Sequence, residues 1–247
     1  MTYISNKDFI IEVSKGNIAG HSLITKLGEN PDTDVGSLPE DVWSVGGAYT
    51  GFPTGSPETL SIVSTDAGDT GDITVSGLLT SAATLITQET ITLTGTTPVT
   101  SVNSFYRVHT SRYSSGTDTG FNIGTIQVKH SVTTANIFLE IPPGRSQSNM
   151  GGFTIPTGST GYLINEFANV KDGGTSVDID MSFWIRTSGG SPRLRRPISV
   201  SSTWLLQGVV RAPVRLFGGS DIIPRVTFAS ANNLTVNAGY DILLVED

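Results

Sequence analysis

From residue 59 onward, apolar and polar positions alternate with period two in one short run after another. In GDITVSG, Ile73 and Val75 alternate with Thr74 and Ser76, and TLITQETITLTG keeps the pattern through Ile91 and Leu93. In IGTIQVKHS, the side chains of Ile126, Val128 and His130 share one side, opposite Gln127 and Lys129. Such alternation marks strands with one buried face. TLSIVST, SFYRVHT and ANIFLEIP continue the series. Turns rich in Gly, Asp and Thr separate these runs by roughly 8–15 residues, the spacing of a sandwich or barrel.

PPGRSQSNMGG (142–152) gathers Pro, Gly and polar residues as an internal boundary does. A second series follows: FTIP, GYLINEFANV, SVDIDMSFWIRT, RLRRPISV, WLLQGVV, PVRLF, DIIPRVTFAS and NAGYDILLVED. In SVDIDMSFWIR, Ile179, Met181, Phe183 and Ile185 point one way, with Asp178, Asp180, Ser182 and Trp184 opposite. No stretch carries a helical i, i+3, i+4, i+7 stripe. The expected fold is all-β, with one or two antiparallel sandwiches of jelly-roll type over 58–143 and 144–247.

Residues 1–57 read differently. After Phe9, Ile10 and Ile11, residues 12–53 show neither period for about forty residues, whereas structureless stretches in compact domains rarely exceed roughly 12–15. Disorder fits poorly, because Leu23, Ile24, Leu27, Trp43, Tyr49 and Phe52 are spread along the stretch. The expectation is an extended N-terminal arm whose anchors are buried largely against another subunit. Leu23, Leu27, Trp43, Tyr49 and Phe52 are the candidate interface residues.

Composition narrows the class. Charged residues are 15% of the chain, against about 25% in ordinary globular domains, and short hydroxyl side chains take their place. There is no Cys, hence no disulfide and no thiolate metal site. The start, MTYISNKDFIIEV, lacks the basic and apolar regions of a signal peptide, so export by the usual route is not expected. No apolar run approaches the ~20 residues of a membrane span.

Charge is unevenly placed. Residues 1–72 hold eleven Asp or Glu and three Lys, a balance of −8; residues 186–225 hold seven Arg and one Asp, a balance of +6. Two readings stand: solvated surfaces, or an acidic arm of one copy meeting the basic face of another copy or of a neighbouring protein. Arg193, Arg195 and Arg196 form the densest basic cluster and are read as subunit salt-bridge partners. Nucleic acid is a poor fit, because the cluster is short and the chain acidic. Trp184, opposite the apolar side of its strand, is a further interface candidate, or a stacking platform for a sugar.

Catalytic chemistry finds little support. His21-Ser22 and His130-Ser131 are chance neighbours in a Ser-rich chain, and no G-x-S-x-G elbow or P-loop spacing occurs. NPDTDVG (30–36) with Glu40-Asp41 has alternating oxygen ligands, but Val35 stands where a calcium loop needs Gly. It reads as an Asp-rich turn. No catalytic, cofactor or metal residue is assigned.

Several segments together resemble a family of structural proteins of tailed bacteriophages, common in marine and environmental phages. They are GNIAGHSLITKLGENPDTDVGSLPEDVWSVGGAYTGFP, TITLTGTTPVTSVNSFYRV, IPPGRSQSNMGGFTIPTGSTGYL, RLRRPISV and the final YDILLV. The resemblance implies a virion component assembled in the bacterial cytoplasm, of head-decoration, head-fibre or neck type. On that basis the chain is expected to be a non-enzymatic decoration or cement protein. It would dock on the major capsid protein as a symmetric oligomer, a trimer being favoured, and clamp neighbours with its arm. A neck, tail or head-fibre component gripping a connector or fibre is the first alternative, and a receptor- or glycan-binding sandwich the second.

Overall fold

The computed structural model describes residues 8–52, 56–115, 120–171, 176–202 and 206–247. The N-terminal segment contributes a short helix, α1 (Phe9–Ser14), a long strand, β1 (His21–Thr33), and a two-residue strand, β2 (Glu40–Asp41). Seven strands follow: β3 (Glu58–Ser64), β4 (Asp72–Leu78), β5 (Thr87–Thr92), β6 (Val99–Phe105), β7 (Arg107–Ser114), β8 (Ile126–His130) and β9 (Ile137–Ile141). The last seven are β10 (Phe153–Thr154), β11 (Ser159–Lys171), β12 (Asp178–Arg186), β13 (Arg193–Ser201), β14 (Leu206–Leu216), β15 (Asp221–Ala229) and β16 (Leu234–Glu246).

These strands form four antiparallel sheets. The middle of the chain makes β6-β3-β8-β9 and β5-β4-β7; the remainder makes β1-β16-β11-β14 and β10-β15-β12-β13, with β2 beside β15. The all-β sandwich architecture expected from the alternation is present. Ile73 and Val75 are fully buried while Thr74 and Ser76 on the same strand are half-buried, as period two requires. Ile179, Met181 and Phe183 are likewise buried, with Ile185 at 8% exposure.

One core cluster fills the space between the two middle sheets, joining Leu60, Ile62, Ile73, Val75, Ile126, Val128, Leu139 and Ile141. Two others lie between the outer pair of sheets, around Ile179, Met181 and Val236, and around Phe153, Phe183 and Tyr240. SFYRVHT, which reads as one strand, is two. Tyr106 separates β6 from β7, and the chain there crosses from one middle sheet to the other.

The N-terminal segment is extended for much of its length, but it lies on its own chain. β1 pairs with β16 from His21–Val245 to Thr33–Leu234, and β2 pairs with β15 through Asp41–Arg225 and Glu40–Val226. Between them the chain turns through the Asp-rich segment. Trp43, Tyr49 and Phe52 then enter the middle core with 4–5% exposure. Gly28 is required where β1 passes beneath the following segment, since a Cβ there would come within 2.2 Å of the Val42 carbonyl oxygen.

Helix α1 also lies where no helix is expected. Asp8 caps it, its Oδ1 accepting from Ile10 N at 2.9 Å.

Candidate interaction surfaces

The five candidate anchors of the arm divide into two groups. Trp43, Tyr49 and Phe52 form a chain of edge-to-face contacts, with centroids 5.0 Å and 4.9 Å apart, inside the chain's own core. They are therefore not available to grip a neighbour, which corrects the expectation that another subunit buries them. Leu23 and Leu27 lie on β1, half-buried and 43% exposed respectively.

The acidic front of the chain is also largely engaged internally. Asp41 takes two hydrogen bonds from Arg225, and Glu29 pairs with Arg145 at 3.1 Å. The Glu40 carboxylate accepts from Ser37 Oγ, Asn30 Nδ2, Gly47 N and Asp34 N. Burial raises the cost of ionising Glu40, yet these donors outweigh it and hold its pKa below the usual carboxylate range. The acid-to-base contact foreseen between copies thus exists within one copy, at Asp41 and Arg225.

Trp184 is half-buried, and the Arg225 guanidinium carbon lies 3.6 Å from its ring centroid. The indole face is occupied by a cation–π contact. A sugar could not stack on that face without displacing Arg225. Trp204 lies outside the described residues.

The basic back of the chain separates into tied and untied arginines. Arg186 bonds Asp221, and Arg196 makes a two-pronged bond to Glu166 at 2.7 and 2.6 Å. Arg193, Arg195, Arg211 and Arg215 are exposed, and none has an acidic partner among the described residues. All four lie on β13 and β14, which are the outer strands of two different sheets. On the same strands or directly after them, Leu194 lies in sequence between Arg193 and Arg195, and Val209 and Phe217 flank Arg211 and Arg215, with 52%, 80% and 53% exposure.

Both of these edges are irregular. Arg196 and Pro197 stand opposite Ser182 alone, with Arg196 at φ +53°, and residues 210–213 stand opposite Ile164 alone. Bulges, prolines and arginines are how edge strands avoid open-ended pairing with other sheets. The same residues leave a charged, partly apolar rim on which another protein could dock.

A polar junction that the sequence does not announce links the middle and outer strands. Asp221 is 3% exposed and accepts from Arg107 Nε at 3.1 Å, Arg186 Nε at 2.9 Å and Thr154 Oγ1 at 2.6 Å. Arg186 also donates to the Phe52 carbonyl at 2.6 Å. Beside it, Lys26 Nζ donates to the His109 carbonyl at 2.6 Å, and among the described residues no carboxylate pairs with it. Burial, with Arg112 nearby, pushes the Lys26 ammonium down to about 7. Burial, then Lys26 and Arg107, hold His109 well below the usual histidine range. His109 Nε2 accepts from Thr154 N at 3.3 Å, which puts the ring hydrogen on Nδ1, a buried atom without a partner.

The other histidines make no nucleophilic pair. His130 contacts Glu58 through Nε2, while Nδ1 accepts from Val132 N and Thr133 N; Ser131 Oγ bonds Thr59 Oγ1 instead. His21 Nδ1 bonds the Ala19 carbonyl, and its ring packs edge-on against Phe9. Among the described residues, no three His, Asp or Glu side chains converge as a metal site would require.

Two open clefts accompany these groups. One, of about 510 Å³, is lined by Glu58, His130 and neighbours on β3 and β8. The other, of about 520 Å³, lies between β1 and the outward face of β5-β4-β7, with Lys26, His109 and Arg112 in its lining.

No family model matches the chain, and no curated protein does. Among solved structures it has likeness to the infectious bursal disease virus Gt strain structure, at 10% identity and a TM-score of 0.25, covering 92% of this chain and 73% of that one. The VP2 subviral particle of the same virus gives 11% identity and a TM-score of 0.23, with 92% and 72% covered. Likeness of this degree assigns neither family nor role.

Proposed function

We propose that this chain is a non-enzymatic structural protein of a tailed-phage virion, decorating or cementing the head as a symmetric oligomer, with a trimer favoured. The sequence resemblance, which spans nearly the whole chain, supplies the particle. The observation that carries the docking role is that the outer strands β13 and β14 bear four exposed arginines without acidic partners among the described residues, with exposed Leu194, Val209 and Phe217 on or directly after the same strands. Aromatic and arginine side chains in such a mixture are typical of protein contacts. The arm acts from within in this reading: it locks the body, and the rim meets the major capsid protein or a neighbouring copy. Division of the body into units at 58–143 and 144–247 belongs to the same proposal.

Quantitative mass spectrometry of purified particles, against the major capsid protein, tests the reading. Hundreds of copies per particle place the protein on the head shell. About a dozen copies move it to a neck, tail or fibre position, and absence from particles overturns the virion role.

A further inference from the structure

The edge of β1 is open over part of its length. The bond from Glu246 N to the Gly20 carbonyl, 2.8 Å, sets the phase of the β1–β16 ladder. Even-numbered residues exchange hydrogen bonds with β16, and odd-numbered ones turn N–H and C=O outward. Glu29 uses its outward donor on the Asn149 carbonyl at 3.3 Å. Leu23, Thr25 and Leu27 come before it in the same phase. No backbone or side-chain partner reaches their outward groups among the described residues. A run of unpaired strand backbone is a template for one more strand.

This edge lines the cleft of about 520 Å³. Its opposite wall is the outward face of β4, β5 and β7, presenting Thr74, Ser76, Gln88, Thr110 and Arg112. Hydroxyls pair across that wall, Ser76 Oγ with Thr110 Oγ1 at 2.6 Å and Thr74 Oγ1 with Thr90 Oγ1 at 2.9 Å. The charged groups of the lining are Lys26 and Arg112, both basic, and no carboxylate lines it. Asp241 is near, but its oxygens are taken by Thr25 Oγ1 at 2.7 Å and Asn165 Nδ2 at 2.9 Å. Lys26 is 3% exposed and has no counter-ion among the described residues, and the orphaned Nδ1 belongs to His109, another lining residue. The cleft thus combines free strand backbone, polar walls and two basic side chains with no carboxylate in the lining.

We propose that this cleft receives an extended segment of a partner chain, added antiparallel or parallel to β1 at Leu23–Leu27, with an acidic side chain directed at Lys26 and Arg112. Main-chain bonds to the outward groups of Leu23, Thr25 and Leu27 give affinity, as in other strand-addition sites, and the basic pair selects the acid. The inference rests on the fold alone and survives if the virion reading fails.

The test uses fluorescence anisotropy with a fluorescein-labelled heptapeptide of alternating threonine and valine carrying one central glutamate. Two control peptides replace that glutamate by glutamine, or carry N-methyl groups on alternate backbone nitrogens. The full-length protein is expected to bind the glutamate peptide roughly tenfold better than the glutamine peptide, a charge-assisted bond's worth. The N-methylated peptide should not bind. Arg112→Gln, at an exposed position, should erase most of the glutamate preference. Thr25→Pro, which removes the outward backbone donor together with the hydroxyl bonded to Asp241, should abolish binding, whereas Thr25→Val, which removes the hydroxyl alone, should keep it. Equal binding of glutamate and glutamine peptides overturns the acidic specificity. Equal binding of the N-methylated peptide, or no binding of any, overturns strand addition. Concentration-dependent dimerisation that Thr25→Pro abolishes would make the occupant a second copy and overturn the partner assigned here.

Discussion

Arg225 and Asp41 are joined by two parallel hydrogen bonds, Nε to Oδ1 at 2.6 Å and Nη2 to Oδ2 at 2.7 Å. Asp41 is fully buried and Arg225 is 9% exposed. The pair ties the N-terminal segment to β15, and the far face of the guanidinium covers Trp184. One ion pair therefore connects three parts of the chain that the sequence sets far apart.

Removing one partner leaves the other charge buried. Asp41→Ala is expected to lower stability by about 3–5 kcal/mol, the usual cost of a broken buried pair. Asp41→Ala combined with Arg225→Met should recover a good part of this loss. Urea unfolding of both variants checks the prediction. Additive losses would mean that the two residues do not act as a pair.

The N-terminal segment is structural, so its removal should damage the body. Deleting residues 1–53 removes β1 from its place beside β16 and empties the Trp43, Tyr49 and Phe52 sites of the middle core. Each lost aromatic alone corresponds to about 3–5 kcal/mol, on the scale of a whole domain's stability. The truncated chain is expected to aggregate or to show no cooperative unfolding transition by circular dichroism. A folded truncated body would restore the reading of a detachable arm.

Why the sequence concealed this is physical. The strands of the middle and C-terminal regions alternate cleanly because one face of each meets an apolar core, as Ile73 and Val75 do. β1 inverts that rule: its buried positions are Lys26, Gly28, Asn30 and Thr33, while Leu27 faces outward. An edge strand whose inner face meets a polar junction and a close backbone crossing has no hydrophobic period to read. The interface candidates fared according to the same logic. The aromatic anchors were legible as buried, but a single sequence could not say against what. Lys26, His109, Arg107 and Asp221 gave no signal, because their meeting depends on sheets packing across long sequence separations.

The arginine rim predicts a separation of stability from association. Replacing Arg193, Arg195, Arg211 and Arg215 by Ser should shift stability little, since exposed substitutions away from special features usually stay within about 0.5 kcal/mol each. Binding to particles or to another copy should fall and lose its dependence on salt. Sedimentation with particles at low and high ionic strength reads this directly. Unchanged binding by the quadruple variant would remove the rim from the docking surface.

Lys26 makes stability depend on pH in an unusual direction. Its pKa is about 7 in the folded chain against 10.5 for the free side chain, so between those values the unfolded state holds the extra proton. Stability must then rise with pH across this window, by up to about 1.4 kcal/mol per unit, and the contribution is lost as pH falls toward 7. Two other groups bound the window. His109, held below its ordinary 6.5, makes stability fall further under acid conditions. Tyr49, which burial raises well above the ordinary tyrosine value of 10.0, makes it fall above pH 10 because the unfolded chain releases that proton first. Chemical unfolding at a series of pH values should therefore show a maximum near pH 10. Lys26→Met should flatten the rise between pH 7 and 10 and raise stability at pH 7, because no buried ammonium remains to be desolvated. A wild-type profile that is flat or falling across that range would mean that Lys26 keeps its charge in the folded chain at pH 9, with its ammonium reached by water or by an acid.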